Sequence, residues 1–185
     1  MKKKICVGMS GGIDSSVTAY MLQKEGYEVE GIYLKLHDRT DGYHETNIGY
    51  IENVTKFLGI KYHVLDLTDK FGDEVYDYFV NSYLDGTTPN PCVKCNRQIK
   101  FGAMLDFAKE QGAEFLATGH YAKTDGEFIY EADDKTKDQS YFLSQVSSES
   151  LKHMMFPLST FKKEDIVKLG ASLHDVYKKI TEKNE

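Results

Sequence analysis

Two stretches of this 185-residue chain gather residue types that can do chemistry. The first is Val7-Gly8-Met9-Ser10-Gly11-Gly12-Ile13-Asp14-Ser15-Ser16. It reads as the end of a β-branched strand, a serine–glycine turn and the start of a helix. Glycine enters positive φ without the steric penalty other residues meet. Successive backbone N–H groups in such a turn form a nest for an anion, and the helix that follows adds its positive N-terminal end. Ser10, Ser15 and Ser16 offer hydroxyls to the same anion. No Gly-Lys-Ser/Thr follows and the spacing is not G-x-G-x-x-G, so neither the Walker A loop nor the dinucleotide fingerprint applies.

The second stretch is Thr88-Pro89-Asn90-Pro91-Cys92-Val93-Lys94-Cys95-Asn96-Arg97. Here Cys95 is read at the entry of a helix, flanked by Lys94 and Arg97, and both the helix end and the cations favour thiolate. The expectation is a lowered pKa and a sulfur nucleophile. A lone C-x-x-C also fits a thioredoxin-like redox pair, half a zinc site, a cluster site or a pair of buried inert thiols. A zinc site takes four ligands, and neither a second cysteine pair nor ligand spacing from His37, His44 or His63 to a cysteine is present. Cys6 falls inside the first strand and is expected in the core.

The elements that must position these residues alternate. Strands are predicted over 4–9, 29–34, 61–67 and 114–118, and helices over 15–25, 44–58, 70–84 and 96–111. Prolines 89 and 91 disfavour helix in the residues before them, so 87–91 is read as a break. A hairpin is expected over 122–131, short helical stretches around 139–145 and 149–154, and a lysine-rich helical segment from 162 onward. The alternation implies an α/β fold, a parallel sheet with helices on both faces and right-handed crossovers. Ligands of such sheets bind beyond the carboxyl ends of the strands, which gathers the glycine loop, Leu34-Lys35, Asp66 and Thr118-Gly119-His120. Phe156-Pro157-Leu158 is read as a boundary, giving a first domain over 1–158 and the start of a helical region over 159–185.

Composition narrows the class of function. Hydrophobic residues make up 41% of the chain, enough for a core. No run reaches the ~20 apolar residues of a membrane span. The basic start, Met1-Lys2-Lys3-Lys4, leads directly into the glycine loop, so it reads as a first strand rather than a signal peptide. Three cysteines do not make a disulfide-stapled secreted domain, so a cytoplasmic protein with no membrane partner is expected. The net charge of −6 argues against a general nucleic-acid coat. Local basic patches remain: Lys94, Arg97 and Lys100 are the only charges from 93 to 101, and from 151 to the end seven lysines face five acids.

Four motifs in order, Ser-Gly-Gly-Ile-Asp-Ser-Ser, Thr-Pro-Asn-Pro-Cys-x-x-Cys-Asn, Ala-Thr-Gly-His-Tyr and Lys-Asp-Gln-Ser-Tyr-Phe-Leu, resemble the bacterial tRNA 2-thiouridylase family. That family belongs to the PP-loop ATP pyrophosphatases, whose fold is of the adenine nucleotide alpha hydrolase type. The resemblance runs from Ile5 to about Leu169 and implies conversion of a wobble uridine to 2-thiouridine. The C2 oxygen of the base is first adenylated by ATP, releasing pyrophosphate, and is then replaced by sulfur. By resemblance, Gly8, Met9, Ser10, Gly11, Gly12, Ile13, Asp14 and Ser15 hold the phosphates, and Leu34 and Gly119 line the nucleotide site. Cys95 matches the cysteine that attacks the activated base or passes sulfur to it. Asn90, Pro91 and Cys92 match a triplet that touches the target base, and Lys137, Asp138 and Gln139 a triplet that contacts tRNA. Magnesium is expected with ATP, with Asp14 able to help place it. The expected partners are tRNA and a persulfide donor protein, either a cysteine desulfurase or a relay.

The chain departs from the family pattern twice. The family reads Asn-Pro-Asp-x-x-Cys where Cys92 stands here, so no acid/base role carries over and a dithiol arises. Cys92 and Cys95 are then read as a disulfide-capable pair or as two iron–sulfur ligands. The family also carries a later cysteine, and after Cys95 this sequence has none. It therefore reads as the catalytic domain with the start of a truncated helical tRNA-binding domain. A catalytically impaired ATP-binding paralogue, or a PP-loop enzyme with another acceptor, are the alternatives.

Overall fold

The fold is taken from a computed structural model that describes residues 2–38 and 41–183. In chain order its first elements are β1 (Lys4–Gly8), α1 (Ile13–Lys24), β2 (Glu28–Lys35), α2 (Tyr43–Leu58) and β3 (Lys61–Asp66). Next, α3 (Thr68–Phe71) passes through a π-helical stretch, Gly72–Tyr76, into α4 (Asp77–Leu84). A second interrupted helix is built from α5 (Pro91–Cys95), a π-helical stretch over Asn96–Ala103, and α6 (Met104–Glu110). Then come β4 (Phe115–Thr118), the hairpin β5 (Lys123–Thr124) and β6 (Ile129–Tyr130), a 3-10 turn over Ser140–Leu143, and α7 (Ser148–Leu151). The chain ends with β7 (Met154–Met155), α8 (Lys163–Leu173) and α9 (Asp175–Lys183).

Five strands form one parallel sheet in the order β3-β2-β1-β4-β7. Parallel strands covered on both faces are apolar throughout rather than alternating, and β1 shows why. Ile5 and Val7 enter a core shared with α1, α2, α8 and α9, whereas Cys6 points to the opposite face among Phe101, Met104 and Leu105. Cys6 is fully buried, as expected. The chain leaves β1 for β2 on one side and later places β4 on the other, so the sheet's switch point lies at the end of β1, where an α/β sheet opens its binding crevice.

Two local expectations change. Residues 154 and 155 form a fifth strand instead of the end of a helix, donated to the edge of β4. The second interrupted helix begins at Pro91 rather than at 96. Asn90 Oδ1 accepts from the Val93 N–H at 3.2 Å and Pro91 takes the first helical position, where its missing N–H costs nothing. The segment after 162 forms two helices whose Ile166, Tyr177 and Ile180 are fully buried in the same core as Ile5 and Val7.

Candidate active site

The glycine loop at the end of β1 is locked by its own side chains. Ser10 N–H donates to Ser15 Oγ at 3.2 Å, and Ser15 Oγ–H in turn meets the Gly12 carbonyl at 3.2 Å. Ser16 Oγ reaches the same carbonyl at 2.9 Å. Gly11 has φ +79°, and a Cβ there would lie 3.1 Å from the Asn47 backbone oxygen of α2. Both the conformation and the clearance therefore call for glycine. Gly12 precedes α1 with no side-chain cap, so the first turn presents its N–H groups outward.

These groups open into a cleft of about 380 Å³, within the usual range for small-molecule sites. Of the loop residues predicted to hold phosphate, Gly8, Met9, Ser10, Asp14 and Ser15 line it, together with Leu34 and Gly119. Gly11, Gly12 and Ile13 do not; Ile13 is buried against α8. Gly119 brings the end of β4 against α1, where a Cβ would sit 2.9 Å from the Ser15 nitrogen. On the β2 side the wall is Leu34, Leu36, His37, Tyr43 and His44, with Phe71 beyond. His44 is held by the Tyr33 hydroxyl and the His37 carbonyl, both at 2.7 Å. Apart from Leu34, sequence reading missed this wall, because its members are spread over β2, the loop after it, α2 and α3 with no motif spacing.

On the other side His120 is buried, with Nδ1 2.7 Å from Thr118 Oγ1 and aromatic neighbours Phe101 and Phe156. Burial, assisted by the Lys100 charge, pushes its pKa down to about 3, so it is uncharged at neutral pH. Lys100 lines the cleft and is the charge closest in effect to Cys95.

The cysteines correct one expectation. The early start at Pro91 puts Cys92 in the first turn of α5 and Cys95 at its last residue, away from the helix N-terminus. Cys95 is half-buried, and desolvation raises its pKa from the ordinary thiol value; Lys100 opposes the shift and Cys92 adds to it. Cys92 is exposed. Three residues apart on a helix, the two side chains share a face with Cβ atoms roughly 5–6 Å apart. Neither thiol, nor Asn90 or Pro91, lines the cleft itself. A cluster takes about four protein ligands. The pair supplies two, and among the described residues no group of three or more His, Cys, Asp or Glu is gathered.

Lys137 is exposed, whereas its two neighbours turn inward. Asp138 accepts from Ala132 N–H at 2.8 Å and Ser140 Oγ at 2.7 Å, and Gln139 Oε1 accepts from Tyr121 N–H at 3.0 Å while lining the cleft. Lys35 and Asp66, predicted near the site, pair with each other at 3.0 Å outside it. No helix among the described residues is long and apolar enough to cross a membrane.

A parallel sheet with an uncapped glycine loop at its switch point defines a class, and sequence comparison agrees with it. Residues 3–185 match the family described as tRNA methyl transferase HUP domain, and the chain belongs to that family. It is 82% identical over its whole length to the tRNA-specific 2-thiouridylase MnmA 1 of Aliarcobacter butzleri, covering 53% of that protein. To the tRNA-specific 2-thiouridylase MnmA of Sulfurimonas denitrificans it is 55% identical, over 94% of this chain and 51% of the relative. The chain thus spans about half the length of these curated relatives. Among solved structures it shares the fold of a 4-thiouridine synthetase–RNA complex with bound ATP, with a TM-score of 0.67 at 20% identity, covering 98% of this chain and 42% of that one.

Proposed function

We propose that this chain is the ATP-using, base-activating half of a tRNA 2-thiouridylase working in the cytoplasm. The observation that carries the proposal is the uncapped first turn of α1, open to a cleft whose other side reaches the cysteine helix through Lys100. In this reading the adenine lies against Leu34 and the His37–His44 wall. The pyrophosphate end of ATP takes the N–H groups of the glycine loop, with Ser10 and Ser15 as hydroxyl donors and Gly119 providing the close approach. Magnesium accompanies the phosphates.

The C2 oxygen of the uridine attacks the α-phosphorus and pyrophosphate leaves, which turns a poor leaving group into AMP. Cys95 takes the outer sulfur of a persulfide carried by a cysteine desulfurase or relay protein, whose own thiol leaves. The Cys95 persulfide then attacks C2 and AMP departs, leaving a Cys95–S–S–C2 disulfide. Cys92, one turn away, attacks the Cys95 Sγ, which forms a Cys92–Cys95 disulfide and releases the 2-thio group, and an external thiol reductant restores the pair. An uncharged His120 adds no positive charge of its own to the site. The target base must leave its stack, which costs a few kcal/mol and least in a single-stranded loop. Asn90, Pro91 and Cys92 meet that base, and the exposed Lys137 meets tRNA phosphates. The thiol pair favours sulfur transfer over the methyl transfer in the family's description.

The test is nucleoside analysis of unmodified tRNA incubated with MgATP, a persulfide donor and the protein. The appearance of 2-thiouridine, abolished by Cys95→Ser, supports the reading, and its absence refutes it.

A further inference from the structure

Two members of the glycine-loop motif, Ile13 and Asp14, are gripped by α8, an element the motif does not include. A Cβ at Gly170 would collide with Ile13 Cδ1, so α8 crosses α1 with only a glycine's clearance. At the head of α8, Lys163 is fixed at both ends. Its backbone N–H donates to Asp134 Oδ2 at 2.9 Å, and its Nζ donates to both carboxylate oxygens of Asp14 at 2.6 Å each. The Tyr121 hydroxyl adds a bond to Asp14 Oδ1 at 3.0 Å. Asp14 itself lies in the first turn of α1 and lines the cleft.

A bare carboxylate there would oppose the anion that the surrounding N–H groups attract, since like charges at such range repel strongly where water is partly excluded. We propose that Lys163 is a positioning residue that neutralises Asp14 and holds its carboxylate in place, so that the nest accepts a polyphosphate. By this account α8 is part of the nucleotide site, and magnesium arrives on the phosphates rather than on Asp14, whose oxygens are already engaged. The inference rests on the ATP reading of the cleft.

The experiment is calorimetric titration of MgATP, at two ionic strengths, into wild type, Lys163→Met, Lys163→Arg, Asp14→Asn and the Asp14→Asn/Lys163→Met double variant. Lys163→Met is expected to weaken binding roughly tenfold, more at low salt, with Lys163→Arg close to wild type. Asp14→Asn is expected to bind at least as well as wild type, and the double variant to regain most of the loss. A scaffold role for the ion pair would not give that rescue. Wild-type binding in Lys163→Met, a double variant no better than Lys163→Met, or a tenfold loss in Asp14→Asn would each overturn the inference. Should Lys163→Met not fold, the Asp14→Asn result decides. If wild type binds no ATP, the nucleotide reading itself falls, which the variants alone could not show.

Discussion

Gly119 at the end of β4 and Ser15 in the first turn of α1 touch through their backbones, with room for a Cβ only 2.9 Å from the Ser15 nitrogen and 3.0 Å from the Asp14 carbonyl carbon. Neither neighbour is a flexible side chain, so the strand end or the helix must move to admit a methyl group. Gly119→Ala is therefore expected to cost about 1–3 kcal/mol of stability and to weaken MgATP binding more than tenfold. Urea unfolding and nucleotide titration on the same protein check both.

Gly11 tests conformation more directly. At φ +79° an alanine pays roughly 1–2 kcal/mol for the left-handed backbone alone, with the Asn47 backbone 3.1 Å from its Cβ in addition. Gly11→Ala should lower the urea midpoint and weaken nucleotide binding, whereas Gly86→Ala, with φ +74° and nothing within 4 Å, should affect stability alone.

The half-buried position of Cys95 sets its reactivity. Because desolvation raises its pKa, its alkylation rate should still be rising above pH 9. The Lys100 charge draws the pKa down, so Lys100→Met should move the inflection higher and slow labelling at pH 8. Mass-spectrometric alkylation kinetics in a Cys92→Ser background read this out.

Two buried groups predict overlapping acid windows, one opening at about pH 6.5 and the other at about 4.5. His120 has a pKa lowered to about 3 against an ordinary value of 6.5, so the unfolded chain takes up its proton first. Stability should fall as pH drops below about 6.5 and continue to fall toward 3. Glu30 opposes its own burial by bonding to His63 at 2.8 Å and pairing with Lys4 at 3.0 Å. Burial alone would raise its pKa, but these partners together lower it below 4.5. Its contribution is thus present above pH 4.5 and lost as pH falls through the lowered value. His120→Asn should flatten the upper window and Glu30→Gln the lower one, as seen in urea midpoints across pH 3–7.

The sequence made the loop, four of the five sheet strands and the flanking helices legible, because strand-to-glycine-to-helix transitions leave strong local signals. It could not show the fifth strand, since Met154 and Met155 form only two residues of ladder and carry no alternation. The capped start at Asn90-Pro91 does leave a signal, as proline suits a first helical turn, but two prolines so close together read equally well as a break. The raised pKa of Cys95 follows from burial, which the flanking Lys94 and Arg97 do not report. The Asp14–Lys163 pair joins residues 149 positions apart, and no local pattern announces such a contact.

The most direct test is pyrophosphate release from MgATP by this chain, measured with and without an unmodified wobble-uridine tRNA. Release that requires the tRNA and disappears in Gly119→Ala is the predicted result. A chain that binds both ligands and releases no pyrophosphate would contradict the account.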